Sequence, residues 1–225
     1  IYWAKNMYWR AGRPERFVRP VRWLVALLGG ETVPVSFGGY EAGAVTYGHR
    51  VLFGDAGISL TGPELRGEYE AALLKGFVVA DVEVRRQKIR KALDAATRAG
   101  GEGLRWREDE ELVETVTQLT EWPSVVMGEF EKEYLALPEE VLVTVMRDHQ
   151  KYFAVEEGRG KREEGREGVE QVKATLTQHF LAVLNTEADE AGLGVIRHGN
   201  ERVLRARFND ARFFWEFDQR VPLVE

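Results

Sequence analysis

The sequence predicts an α+β fold made of small antiparallel sheets with packed helices. Three observations carry that reading. Glycines cut short runs of β-branched and aromatic residues between Val33 and Phe53, the pattern of strands joined by tight turns. Apolar residues recur at helical spacing at Ile89, Leu93 and Ala96, and again at Leu112, Val113, Val116 and Leu119. Strand-like runs at 124–130 and 180–184 lie among such helices, and no repeat of fixed period joins them.

Taken in order, residues 1–20 read as a basic arm and 21–225 as one central α+β domain. Up to position 22, Lys5, Arg10, Arg13, Arg16, Arg19 and Arg22 face a single acid, Glu15, among Tyr2, Trp3 and Trp9. Phe17, Val21, Leu24, Val25 and Leu28 predict a short helix stopped by Gly29-Gly30. Thr61-Gly62-Pro63 introduces a helix over about 64–75, Phe77 to Ala80 reads as a brief buried strand, and a helix over 82–98 closes at Gly100-Gly101. The helix around Leu112 must end by Trp122, because Pro123 disfavours helical geometry in the residue before it. Pro138, with Glu139 and Glu140 complementing the dipole, opens a helix through Asp148. Tyr152 to Val155 is extended, with Tyr152 and Phe153 pointing in and out alternately. Residues 156–173, mostly Glu, Arg, Lys and Gly without periodicity, form a charged loop or hairpin tip. Asn200 to Phe217 makes the final helix.

Composition excludes several chemistries. With 31 Lys and Arg against 37 Asp and Glu, the net charge of -6 draws no polyanion, so nucleic-acid contact requires a local patch. The absence of cysteine rules out disulfides, a thiolate nucleophile, Cys-ligated zinc and iron–sulfur clusters, and a reducing, cytoplasmic setting is the natural reading. His49, His149, His179 and His198 occupy no His-Glu-x-x-His frame, so no metal is expected. Gly38 to Gly43 lacks the Lys-Ser/Thr pair of a phosphate loop. The apolar run 23–28 is far short of the ~20 residues that span a bilayer. No catalytic constellation emerges.

Basic stripes leave two uses open. On the last helix Arg202, Arg205, Asn209 and Arg212 share one face, with Leu204, Phe208, Ala211 and Trp215 opposite and Arg207 and Asp210 expected as a half-buried pair. The helix over 82–98 carries Arg85, Arg86, Lys88, Arg90, Lys91 and Arg98. Either stripe meets phosphates or is a solvated face paired to nearby Glu. His149 and Lys151 either cap a helix C-terminus or, with Gln150, touch RNA or the neighbouring domain. Tyr2, Trp3 and Trp9 either stack on bases, cover a core or contact a further domain.

Three strings add to this: Arg16-Phe17-Val18-Arg19-Pro20-Val21-Arg22-Trp23 with Leu27-Leu28-Gly29; His149-Gln150-Lys151-Tyr152-Phe153; and Gly199-Asn200-Glu201-Arg202-Val203 with Ala206-Arg207 and Asp210 to Phe214. In this order and spacing they resemble the beta subunit of bacterial tetrameric glycyl-tRNA synthetase. Gly48-His49-Arg50, Val79-Ala80-Asp81 with Arg85 and Ile89, Glu121-Trp122-Pro123 and the run Phe130 to Pro138 extend the likeness over nearly the whole chain. It departs from the family where Tyr8 and Tyr47 stand in place of arginines, Arg10 being a partial substitute for the first.

The resemblance implies an internal fragment of a longer subunit, lacking an N-terminal segment and, after Glu225, HD-like and anticodon-binding regions. It implies a module similar to the B3/B4 domain of the phenylalanyl enzyme. Glycine activation, with ATP and Mg, then belongs to the alpha subunit, and this fragment holds no cofactor and is inactive alone. Its implied partners are tRNA-Gly, the alpha subunit and the rest of the beta subunit, with no membrane. The expected role is tRNA binding and scaffolding; the alternatives are an editing-like hydrolase of mischarged tRNA or a structural spacer against the alpha subunit. The RNA-binding candidates are Arg16, Arg19, Arg22, His49, Arg50, Arg85, His149, Gln150, Lys151, Asn200, Arg202, Arg205 and Arg212, with no catalytic residue and no metal ligand.

Overall fold

The computed structural model describes residues 5–60, 65–158, 162–164, 170–172 and 174–220. It is mixed α+β, as the sequence predicts. The chain divides into two compact units, Ile1–Asp81 and Val82–Glu225.

In the first unit, β1 (Met7–Tyr8) and β2 (Arg16–Phe17) form a hairpin, which makes the described part of the basic arm an element of this unit. The expected helix over 17–28 is absent. Instead β3 (Leu24–Val25) is followed by β4 (Leu27–Leu28), which pairs with β5 (Glu31–Thr32). Two local rules override the helical spacing. Pro20 has no N–H to give and pushes Arg19 out of helical geometry. Gly29 and Gly30 both take positive φ, 59° and 88°, the requirement of a two-residue hairpin turn.

The predicted short strands follow: β6 (Ser36–Phe37), β7 (Tyr40–Gly43), β8 (Val45–Tyr47) and β9 (Gly57–Ser59). β7 pairs antiparallel with β6 and parallel with β3, and β8 pairs with β9. Helix α1 (Leu65–Lys75) closes the unit; Thr61, Gly62 and Pro63, named above as its introduction, lie outside the described residues. Phe77 to Ala80 is not a strand. The N–H of Val78 donates to Leu73 O and that of Phe77 to Leu74 O, a helix-ending motif in which Phe77, at φ 59°, takes the left-handed place usually given to glycine.

The second unit is built on one antiparallel sheet in the order β10-β12-β15-β11: β10 (Leu104–Trp106), β12 (Tyr152–Glu157), β15 (Thr175–Asn185) and β11 (Pro123–Glu129). Helices α2 (Val82–Gly100) and α3 (Glu110–Leu119) cover one face, where Ile89, Leu93, Val113 and Val116 meet Phe153, Val155 and Leu181. A 3-10 turn (Lys132–Ala136), α4 (Glu139–Thr144), a π-helical turn (Val145–Gln150) and α5 (Glu190–Asp218) cover the other, where Tyr134, Leu142, Leu204 and Phe208 meet Tyr152, Ala154 and Phe180. Tyr152 and Phe153 therefore do not alternate between core and solvent. Both are buried, because both faces of the sheet are covered.

Residues 162–164 and 170–172 pair as β13 (Arg162–Glu164) and β14 (Glu170–Val172), so the charged segment is a hairpin carried between β12 and β15. Helix α5 starts ten positions before Asn200. Gly192, Gly194 and Gly199 mask its start in a propensity reading, but Asp189 caps it by accepting from the Gly192 N–H at 2.8 Å.

Candidate nucleic-acid interface

The basic stretch is arranged by the first hairpin. Pairing of Tyr8 with Arg16 sets the guanidinium of Arg16 5.7 Å from the Tyr8 ring centre, and that ring is 62% exposed. Arg10 turns inward. It donates to Glu15 at 2.9 Å, and its guanidinium lies so close to Gly39 that a Cβ there would come within 2.7 Å. Trp9 packs in the same way under Gly38 and against Phe37, so Arg10 and Trp9 hold the β6–β7 turn to the first hairpin. Arg10 is thus already paired to a carboxylate, and Trp9 serves packing; Tyr2 and Trp3 lie outside the described residues.

Arg13, Arg16, Arg19, Arg22 and Arg50 are exposed and, among the described residues, meet no carboxylate. Trp23, next to Arg22, stacks edge-on with Tyr47 at 4.8 Å, and both rings keep more than a third of their surface in solvent. Free guanidinium groups suit phosphates, and half-open rings suit unstacked bases. Tyr8 and Tyr47 supply ring surface rather than charge.

His49 belongs to the fold. It is buried, its backbone N–H donates to Gly76 O at 2.7 Å, and its Nδ1 accepts from the N–H groups of Val51 and Leu52. Gly48 permits this, since a Cβ there would lie 2.5 Å from the same carbonyl oxygen.

The second unit treats its arginines differently. Arg85 is buried and donates from Nε to Thr117 O at 2.8 Å, tying α2 to the end of α3. Arg86 joins Glu83 and Glu114, and Arg90 joins Glu110. Arg205 pairs with Glu131, while Arg212 lies 3.6 Å from Glu133 and over the ring of Tyr134. Of the last helix's stripe, Arg202 alone is exposed without such a carboxylate among the described residues. Arg207 and Asp210 are both exposed, not half-buried, and Trp215 is 37% exposed, so the core face of α5 ends near Phe208.

His149, Gln150 and Lys151 end the π-helical turn. His149 is exposed and Gln150 half-buried, whereas Lys151 adopts the left-handed conformation at φ 60° and donates from Nζ to Asp148 O at 3.0 Å. The next residue anchors the turn. Tyr152 donates its hydroxyl to Asn200 Oδ1 at 2.6 Å, and burial pushes its phenol up, which keeps it the protonated donor. Asn200 in turn donates to Ile196 O, so it too is engaged.

Arg147 escaped the sequence reading because nothing in its local pattern signals it. Its guanidinium meets Asp109 at 2.5 Å, Glu111 at 2.6 Å and Asp148 at 3.0 Å, and these hydrogen bonds, that to Asp109 first, raise its pKa. Burial works to raise the Asp109 carboxyl, but the Arg147 guanidinium and the Leu112 N–H outweigh it and hold the group below the usual carboxylate range. The other family-like strings also resolve into packing. Trp122 donates from Nε1 to Glu187 at 2.8 Å under the Lys88 ammonium, and Phe130, Tyr134 and Leu137 are core.

Comparison with known proteins relates this sequence to a subunit of the aminoacyl-tRNA synthetases. A family model described as the glycyl-tRNA synthetase beta subunit matches residues 1–225. Relatives named glycine–tRNA ligase beta subunit include that of Acidobacterium capsulatum, 61% identical over 224 residues, and that of Myxococcus xanthus, 44% identical over 226. A third, from Syntrophotalea carbinolica, is 40% identical over 224 residues. The alignments cover 99–100% of this chain but only 29% of each relative. The chain belongs to the glycyl-tRNA synthetase beta subunit family. Among the described residues no helix is long and apolar enough to cross a membrane.

Proposed function

We propose that this chain is a tRNA-contacting and scaffolding region of a glycyl-tRNA synthetase beta subunit, working in the cytoplasm, and that its first unit supplies the RNA surface. The carrying observation is that Arg13, Arg16, Arg19 and Arg22 are all exposed and free of carboxylates among the described residues, with the Arg16 guanidinium over the open Tyr8 ring and Arg22 next in sequence to the exposed Trp23. His149 and Arg202 are secondary contacts by the same criterion of exposure. His49 and Arg85 are left out of the surface because they are buried. In this reading tRNA-Gly, the alpha subunit and the remainder of the beta subunit are the partners. Glycine activation with ATP and Mg is the alpha subunit's chemistry, so this chain alone forms no glycyl-adenylate.

The test is binding of the chain to tRNA-Gly and to an unrelated tRNA at two salt concentrations. Weak affinity that falls steeply with salt, with little preference between the two, is expected where phosphate contacts dominate. No binding even at low salt would leave only the scaffolding half of the proposal.

A further inference from the structure

Helix α5 has 29 residues, about 43 Å at 1.5 Å per residue, yet its last fully buried side chain is Phe208. Beyond it the helix presents Phe213, Phe214 and Phe217 at 62%, 61% and 54% exposure. Among the described residues the rings these three meet are one another's, Phe213 stacking on Phe217 at 6.4 Å and edge-on against Phe214 at 5.5 Å, with the Arg220 guanidinium 6.0 Å from the Phe217 ring. Scattered exposed hydrophobics are ordinary on a protein surface, but three phenylalanines within five positions form a contiguous patch that marks an interface.

We propose that this end of α5 docks against a part of the same polypeptide that lies outside the present chain. The chain spans only 29% of the length of its relatives, so most of such a subunit is available as the occupant. A tethered segment also has a high effective concentration, which a separate partner lacks. Two other occupants fit less well. The charges around the patch, Arg212 and Arg220 with Glu216 and Asp218, are mixed in sign and offer nothing to a polyanion. The chain's net charge of -6 opposes self-association.

The chain has no cysteine, so a single thiol in this region can be followed by alkylation and peptide mapping. Phe214→Cys is compared with Glu102→Cys, an exposed turn position, in the full-length subunit without its alpha partner and in the 225-residue chain. Docking predicts that Phe214→Cys reacts about tenfold or more slowly than Glu102→Cys in the full-length subunit, and equally fast in the shorter chain. Equal rates in the full-length subunit would overturn the proposal. So would slowing that appears only on adding alpha subunit or tRNA, or that depends on the concentration of the shorter chain. If Phe214→Cys does not fold, Phe217→Cys reads the same face.

Discussion

The two units use arginine in opposite ways. In residues 82–225, 22 basic side chains are outnumbered by 29 acidic ones, and Arg86, Arg90, Arg107, Arg147, Arg205 and Arg212 all lie beside carboxylates. In residues 1–81 the balance is nine to eight, but the basic groups gather at one end of the sequence, where only Arg10 finds an acid among the described residues. A count of arginines therefore does not locate an RNA surface. What distinguishes the units is how many of their guanidinium groups are already neutralised, because a paired cation must lose its partner before it can release a counterion from a phosphate.

This contrast can be broken or sharpened by substitution. The largest effect should come from the core that holds the second unit's pairs in register. Phe208→Ala, which removes a ring packed at 4.9 Å from Phe130, should cost ~3–5 kcal/mol in denaturant unfolding, and Trp215→Ala less than half of that. Next, changing Arg16, Arg19 and Arg22 together to Ala should lower the log–log salt slope of tRNA binding by about 2 to 3 and leave the melting temperature in place. The matching triple Arg86, Arg90 and Arg205 to Ala should leave the slope unchanged. Equal slopes for both triples would dissolve the distinction between the units.

A smaller effect follows from Asp109. Its folded-state pKa lies below the ordinary value, so the unfolded chain binds the proton more readily and stability rises with pH across that interval. Asp109→Asn keeps an oxygen for the Leu112 N–H but loses the charge facing Arg147. Its melting-temperature deficit should be full at neutral pH and shrink as pH falls below about 4, where the native carboxyl also becomes protonated. A deficit independent of pH would mean that the charge facing Arg147 is not what the substitution costs. Smallest of all, Arg205→Ala should change stability by no more than ~0.5 kcal/mol, because its pair with Glu131 is half in solvent.

How much of this was legible depended on the range of the interactions. Helix α2 and strands β11 and β15 were readable because a run of spaced or continuous apolar residues reports burial directly. The segment 17–28 misled because its spacing fits a helix while Pro20 and the Gly29-Gly30 turn, both local signals, forbid one. The double burial of Tyr152 and Phe153 was not legible, since it depends on helices arriving on both faces from distant parts of the chain. The same holds for the candidate site. The basic stretch was plain in the sequence, but the inward turn of Arg10, the burial of His49 and Arg85 and the three carboxylates around Arg147 depend on partners up to 38 positions away.

The hairpin β13–β14 has a bearing on how the fold tolerates change. It leaves the sheet after Glu157 at one end of β12 and returns at Thr175, where Glu157 and Thr175 are already paired. The two main strands therefore meet without any help from what lies between them. The entropy of closing such an excursion grows only with the logarithm of its length, about 0.6 kcal/mol for each doubling. Natural variation can accordingly lengthen, shorten or recharge this position at almost no thermodynamic risk to the sheet, which makes it the place in the second unit where a tag, a probe or an inserted domain should be carried most easily.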